Sequence, residues 1–108
     1  MILDELKKLA IEYQKSGDRD KLDVLRYFLA QVQNKEIELR SQKQELTDEI
    51  VFKILKKQVK DRKELIDIYQ KASNQDKVDK ETAELEILKV IAKYFPFDLD
   101  APSVMKQH

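Results

Sequence analysis

The longest helical pattern in the chain lies at residues 47–72, TDEIVFKILKKQVKDRKELIDIYQKA. Apolar residues recur three and four positions apart along this stretch, which is the period of an amphipathic α-helix. Thr47 is a favourable N-cap residue, acids follow it in the first turn, and Leu46 can pack across the cap onto Val51. The stretch therefore predicts one long helix against which the rest of the chain must pack.

Three further segments show the same period. One helix is predicted over residues 3–16 and is ended by Gly17, because a helix commonly ends on a left-handed residue. A second helix is predicted from the cap Asp18 to about residue 41. A fourth helix is expected from the cap Asp76 onwards through Phe95, and Pro96 would end it.

The connectors between these helices are short, and short connections favour antiparallel neighbours. The sequence predicts an all-α fold in which four amphipathic helices form an antiparallel bundle. The alternative is an extended helical hairpin that completes its core by dimerising, so a monomer and a homodimer both stay open. We expect one helical domain over residues 1–96 and an irregular tail over residues 97–108.

The composition excludes several classes of function. The 108 residues include no Cys, one Gly and one His, which is His108 at the end of the chain. Disulfides, thiolate metal sites, glycine-rich phosphate loops and Ser-His-Asp triads therefore cannot be assembled. We predict no catalytic residue, no metal site and no cofactor. Apolar runs are short and no signal-peptide pattern is present, so we expect no membrane span and a cytoplasmic location.

Arg62 lies in the middle of the apolar side of the third predicted helix, where a guanidinium is costly to bury alone. Glu36 lies within the apolar stripe of the second helix, and Glu81 and Glu84 lie within that of the fourth. We predict that Arg62 pairs with at least one of these carboxylates and fixes the packing of the helices. The alternative is a carboxylate site for a cation or metal, although bundle metal sites also use Glu-x-x-His pairs, which the chain lacks.

The opposite side of the third helix carries a row of lysines, named here the lysine face. Its members are Lys53, Lys56, Lys57, Lys60 and Lys63. Six bases and one acid fall between residues 53 and 63, whereas five acids and two bases fall between residues 76 and 86. The equal totals of 21 basic and 21 acidic residues therefore hide a polarised molecule.

Such a row is either a solvated face or a surface that binds phosphates without reading bases. No aromatic residue interleaves with these lysines, so base stacking is not predicted. Tyr27 and Tyr94 lie outside the main apolar stripes of their own helices.

Several stretches resemble the GatB/YqeY family in order and spacing. They are DKLDVLR at residues 20–26, NKEI at 34–37, VKDRKE at 59–64, YQKA at 69–72 and DKETAELEIL at 79–88. The chain departs from the family pattern after residue 72, where a turn containing Gly is expected and Ser73 stands instead.

The resemblance implies a helical domain related to the C-terminal tail of the B subunit of tRNA-dependent amidotransferases. That tail engages tRNA, while amide transfer takes place elsewhere in the enzyme, and free-standing relatives often carry an inherited amidotransferase label. The family usually adds a smaller helical domain, for which residues 97–108 are too few. We expect a non-catalytic module that associates with tRNA or with a tRNA-modifying enzyme. A protein interaction or oligomerisation module without nucleic-acid binding is the alternative.

Overall fold

The computed structural model describes residues 2–99, and this part of the chain contains four α-helices and no strand. The helices are α1 (Ile2–Ser16), α2 (Arg19–Ser41), α3 (Asp48–Lys71) and α4 (Gln75–Ala92). The predicted all-α fold with four helices is confirmed. None of these four helices combines the length and the apolar content that a membrane crossing requires.

The helix starts are set by side-chain caps. The side chains of Asp18 and Thr47 each accept a hydrogen bond from the backbone N–H three residues later, so both predicted caps are observed. At α4 the cap is Asn74 and not Asp76, and the helix begins two residues earlier than predicted. Asn and Asp cap equally well, and the connector after α3 places Asn74 in the capping position.

Three helices end on a residue with a left-handed backbone. These residues are Gly17 after α1 with φ 75°, Lys43 after α2 with φ 59° and Ser73 after α3 with φ 55°. In each case the next residue donates its backbone N–H to the carbonyl five positions earlier, which satisfies a carbonyl at the helix end. Only Gly17 adopts this conformation without a Cβ clash.

α4 ends at Ala92, three residues before the predicted end at Phe95. The backbone N–H groups of residues 93, 94 and 95 donate to carbonyls three residues earlier, so the chain tightens into a narrower turn before Pro96. These hydrogen bonds satisfy carbonyls at the end of the helix that would lack a donor if a regular α-helix ran up to the proline. Phe95 is nevertheless buried, as its place in the apolar stripe predicts.

One hydrophobic core draws on all four helices, which is the bundle arrangement and not an isolated hairpin. The largest fully buried side chains are Leu6, Leu25, Phe28, Val32, Val51, Leu55, Leu88 and Ile91. α3 and α4 run antiparallel, because Phe52 near the start of α3 contacts Phe95, which follows the end of α4, at 5.2 Å between ring centroids. The apolar side predicted for the third helix comprises Val51, Ile54, Leu55, Leu65, Ile66 and Tyr69. The structure adds Phe52 and Val59, which are both buried.

The first residues of the predicted tail are irregular in backbone but packed. The rings of Phe52 and Phe97 lie 5.2 Å apart, and Leu99 also packs against the core. Residues 97–99 are thus irregular, as expected, and two of their apolar side chains cover part of the core surface. Residues 100–108 of the predicted tail lie outside the described part of the chain.

Candidate functional site

The lysine face lies on the side of α3 that points away from the core. Leu55 and Val59 turn inward, and a rotation of about 100° per residue places the lysines on the other side of the helix. Lys53, Lys57 and Lys60 are exposed, as is Lys63, whereas Lys56 is half-buried. Four ammonium groups of one helix are therefore directly available to an external anion.

Two of these lysines have acidic neighbours on the same helix. Lys57 Nζ lies 3.6 Å from Asp61 Oδ2, and Lys60 Nζ lies 4.0 Å from Glu64 Oε1. All four side chains are strongly exposed, and such pairs contribute only a few tenths of a kcal/mol. A polyanion can therefore displace these carboxylates at little cost.

The lysine face borders an open groove of about 910 Å³. Val59 and Leu99, the latter from the segment after α4, also line this groove. The groove is thus bounded by one helix and by the irregular segment that packs against the core, and its surface is dominated by lysine side chains.

A second polar cluster joins α3 to α4. Arg62 Nη1 donates a hydrogen bond to Glu81 Oε1 at 3.1 Å, and Arg62 Nε lies 3.5 Å from Glu84 Oε1. Glu81 is 8% exposed and is buried against the core. The structure thus brings together three of the four residues that the sequence analysis assigned to a polar network.

The two carboxylates of this cluster differ in their environment. Burial raises the pKa of Glu84, and the neighbouring Glu81 carboxylate raises it further, while the Arg62 guanidinium opposes both effects. Arg62 Nε is buried and makes no hydrogen bond within residues 2–99, since its approach to Glu84 is an ion pair without hydrogen-bond geometry. One guanidinium therefore serves two carboxylates, and Glu81 has the better contact.

Among the described residues, the partners of Arg62 are Glu81 and Glu84, and Glu36 lies apart from this cluster. It is half-buried and lines a separate depression together with Lys7 and Arg26. Asp23, Val24 and Tyr27 are the α2 residues that border the cleft beside Arg62. Nine helical residues separate Tyr27 from Glu36, which is about half a turn of rotation, so the two side chains leave α2 on opposite sides.

Within residues 2–99 no group of three or more His, Cys, Asp or Glu side chains is placed to hold a metal ion. The carboxylates of Glu81 and Glu84 are already engaged by Arg62. The cluster is thus arranged as a tie between two helices.

One neighbour of the lysine face comes from another helix. Tyr27 of α2 and Lys57 of α3 line the same depression of about 270 Å³ between the two helices. No aromatic residue interleaves with the lysines along α3 itself, and the helical period of one helix does not reveal a ring that a neighbouring helix supplies. The available signal was the position of Tyr27 outside the apolar stripe of α2, which leaves its side chain 54% exposed.

Comparison with known proteins gives a consistent result. The YqeY family model, described as Yqey-like protein, matches residues 3–107. An uncharacterised protein of Schizosaccharomyces pombe is 31% identical over 84 residues, which cover 78% of this chain and 66% of that protein. The match thus spans just under two thirds of the yeast protein's length. Because the family match covers nearly the whole sequence, the chain belongs to the YqeY-like family.

Proposed function

We propose that this protein is a non-catalytic helical module that associates with RNA through the lysine face. The observation that carries the proposal is the exposure of Lys53, Lys57, Lys60 and Lys63 on one side of α3. tRNA is the favoured RNA, because the related tail of the amidotransferase B subunit engages tRNA. An accessory role beside a tRNA-dependent amidotransferase or another tRNA-modifying enzyme follows from the same relationship.

The arrangement of charge suits a phosphate backbone. Residues 53 and 63 are separated by about 15 Å along the helix axis at 1.5 Å per residue. Ammonium groups distributed over that length can contact several phosphates of one strand, and each contact releases condensed counterions. Contacts of this kind position a protein on RNA without reading its sequence, so binding should be weak, non-specific and sensitive to salt.

Electrophoretic mobility of tRNA at low salt tests this proposal. The doubly substituted protein Lys53→Glu, Lys60→Glu reverses the charge of two exposed lysines of the lysine face. The matched control is Lys8→Glu, Lys15→Glu, which reverses two exposed lysines of α1 with the same spacing and the same change in net charge. We expect a shift with the wild type and with the control, and a large loss with the lysine-face variant.

Two results would contradict the proposal. The absence of a shift for the wild-type protein at low salt would favour a protein interaction module without nucleic-acid binding. Equal loss in both variants would mean that total charge, and not the lysine face, determines binding.

A further inference from the structure

We propose that the depression between α2 and α3 holds one unpaired nucleobase of the RNA whose phosphates contact the lysine face. This inference rests on the function proposed above and names the form of RNA that the site would select. The depression, named here the α2–α3 depression, is lined by Tyr27, Gln31 and Asn34 from α2 and by Ile54, Lys57 and Gln58 from α3.

The α2–α3 depression adjoins the lysine face at Lys57. Lys57 belongs to the lysine face and also lines the α2–α3 depression. Asp61 likewise borders both the groove of the lysine face and this depression. A strand whose phosphates lie on the lysine face therefore has the depression directly beside it, within reach of a base that leaves the stack.

Tyr27 contributes an aromatic ring to the wall of the depression. Tyr27 is 54% exposed, so its ring is accessible from solvent where it borders the depression. Exposed aromatic rings are the platforms on which proteins stack unpaired bases, and this stacking tolerates any base because each has a π-face.

Three side-chain amides line the depression together with Tyr27. Gln31, Asn34 and Gln58 each carry a donor and an acceptor, which is the pattern that the edges of nucleobases present. Gln58 Nε2 is buried and has no hydrogen-bond partner among residues 2–99. A buried donor without a partner is costly, and a rotation of the Gln58 amide towards the depression would let a base carbonyl or ring nitrogen satisfy it.

The charged side chains that line the depression form two ion pairs, and this favours a neutral base over a phosphate as the occupant. Lys57 Nζ lies 3.6 Å from Asp61 Oδ2, and Lys35 Nζ lies 3.4 Å from Glu38 Oε1. All four residues line the depression, so its charges cancel. Phosphates are therefore better placed on the lysine face and a neutral base in the α2–α3 depression. The base must be unpaired, because a base inside a double-stranded RNA helix is stacked between its neighbours and cannot offer its face to the tyrosine ring.

The experiment compares two RNA hairpins of equal stem length. One is fully paired, and the other carries a single bulged 2-aminopurine, whose fluorescence falls when it stacks on an aromatic ring. We expect the wild-type protein to bind the bulged hairpin about tenfold more tightly than the paired one, as stacking of one base allows. The fluorescence should fall on binding.

Substitutions at Tyr27 test whether its ring causes the preference for the bulged hairpin and the fall in fluorescence. Tyr27→Ala should remove both the preference and the fluorescence change while leaving binding to the paired hairpin intact. Tyr27→Phe should retain both, because stacking needs the ring and not the hydroxyl. Tyr94→Ala is the matched control, since Tyr94 is also exposed and does not line the depression.

The outcomes separate this inference from the function on which it rests. Equal binding of both hairpins, unaffected by Tyr27→Ala, would overturn the base site and leave the lysine face as an RNA surface. Binding of neither hairpin at low salt would overturn both proposals. Displacement of the bulged hairpin by free adenosine monophosphate at concentrations similar to those of the RNA would indicate a free-nucleotide site, and would also overturn the RNA base site.

Discussion

Arg62 and Glu81 are 19 residues apart in sequence and join α3 to α4 through a hydrogen bond of 3.1 Å between Nη1 and Oε1. Glu81 is 8% exposed, so its carboxylate depends on this guanidinium for compensation. The contact lies within the α3–α4 hairpin, at a point where a shift of one residue would rotate the carboxylate out of reach. We interpret the pair as a device that sets the register of these two helices.

Replacing Arg62 should destabilise the protein. Arg62→Leu leaves Glu81 buried without its cation, and we expect a loss of about 3 kcal/mol, at the low end for buried pairs because the Arg62 side chain is 23% exposed. Thermal unfolding should show a melting temperature lower by about 10 °C or more. Arg26→Leu removes an exposed arginine of α2 and serves as the control, with an expected change within about 0.5 kcal/mol.

The double variant Arg62→Leu, Glu81→Leu checks the cause of that loss. Removing both charges leaves an apolar contact, so the double variant should recover much of the stability that the single variant loses. An unchanged melting temperature for Arg62→Leu would mean that the pair does not stabilise the hairpin.

The raised pKa of Glu84 predicts how stability depends on pH. A carboxyl group whose pKa is higher in the folded state binds its proton more tightly there, so its stabilising contribution is present below the unfolded pKa and is lost as pH rises through the folded pKa. Glu84→Gln mimics the protonated form. Relative to this variant, the wild type should therefore gain stability as the pH falls from 7 to below about 4.3, the ordinary pKa of Glu.

Denaturant unfolding of both proteins across this pH range measures the difference. Glu86→Gln, an exposed carboxylate of the same helix, controls for the loss of a negative charge in general. A gap between the wild type and Glu84→Gln that stays constant with pH would show that the carboxyl group does not titrate differently in the folded protein.

Ser73 offers a stabilising substitution. Its φ of 55° places a Cβ in the left-handed region, which costs roughly 1 kcal/mol relative to glycine. Ser73→Gly should therefore raise the free energy of unfolding by about 0.5–1 kcal/mol, after the added freedom of the unfolded chain is subtracted. Ser41→Gly makes the same change within the last turn of α2 and should have the opposite sign. A lower melting temperature for Ser73→Gly would contradict this interpretation of the turn.

Phe97 tests whether the fold continues past α4. Its ring lies 5.2 Å from that of Phe52 and it packs against the core, so Phe97→Ala should cost about 1–2 kcal/mol, less than a fully buried phenylalanine. Tyr94→Ala removes an exposed ring nearby and should cost much less. Equal stability of the wild type and Phe97→Ala would place the end of the folded domain before residue 97.

The fold was largely predictable because its signals are local. Thr47 and Asp18 are capping residues next to strongly periodic stretches, so two helix starts could be located from sequence. The start of α4 could not, because Asn74 and Asp76 are both capping residues two positions apart and only the geometry of the preceding turn selects between them. The observed end of α4 also differs from the predicted one. Pro96 limits the length of the helix but does not determine at which residue its last turn tightens.

The polar sites were predictable only in part. The helical period identifies which side of a helix a residue occupies, and this was sufficient to group Arg62 with Glu81 and Glu84. It does not reveal which neighbouring helix a residue meets, so Glu36 was grouped with Arg62 although it borders Lys7 and Arg26. The proximity of Tyr27 to Lys57 was missed for the same reason, because it depends on how α2 packs against α3.

The salt dependence of tRNA binding is the decisive measurement for the lysine face. Fluorescence anisotropy titrations of labelled tRNA between 50 and 200 mM salt give the slope of log K against log salt concentration. With about four lysines engaged on double-stranded regions we expect a slope near −4, and Lys53→Glu, Lys60→Glu should reduce its magnitude by about 2. A slope near zero, or the same slope in the wild type and this variant, would contradict binding of RNA phosphates by the lysine face.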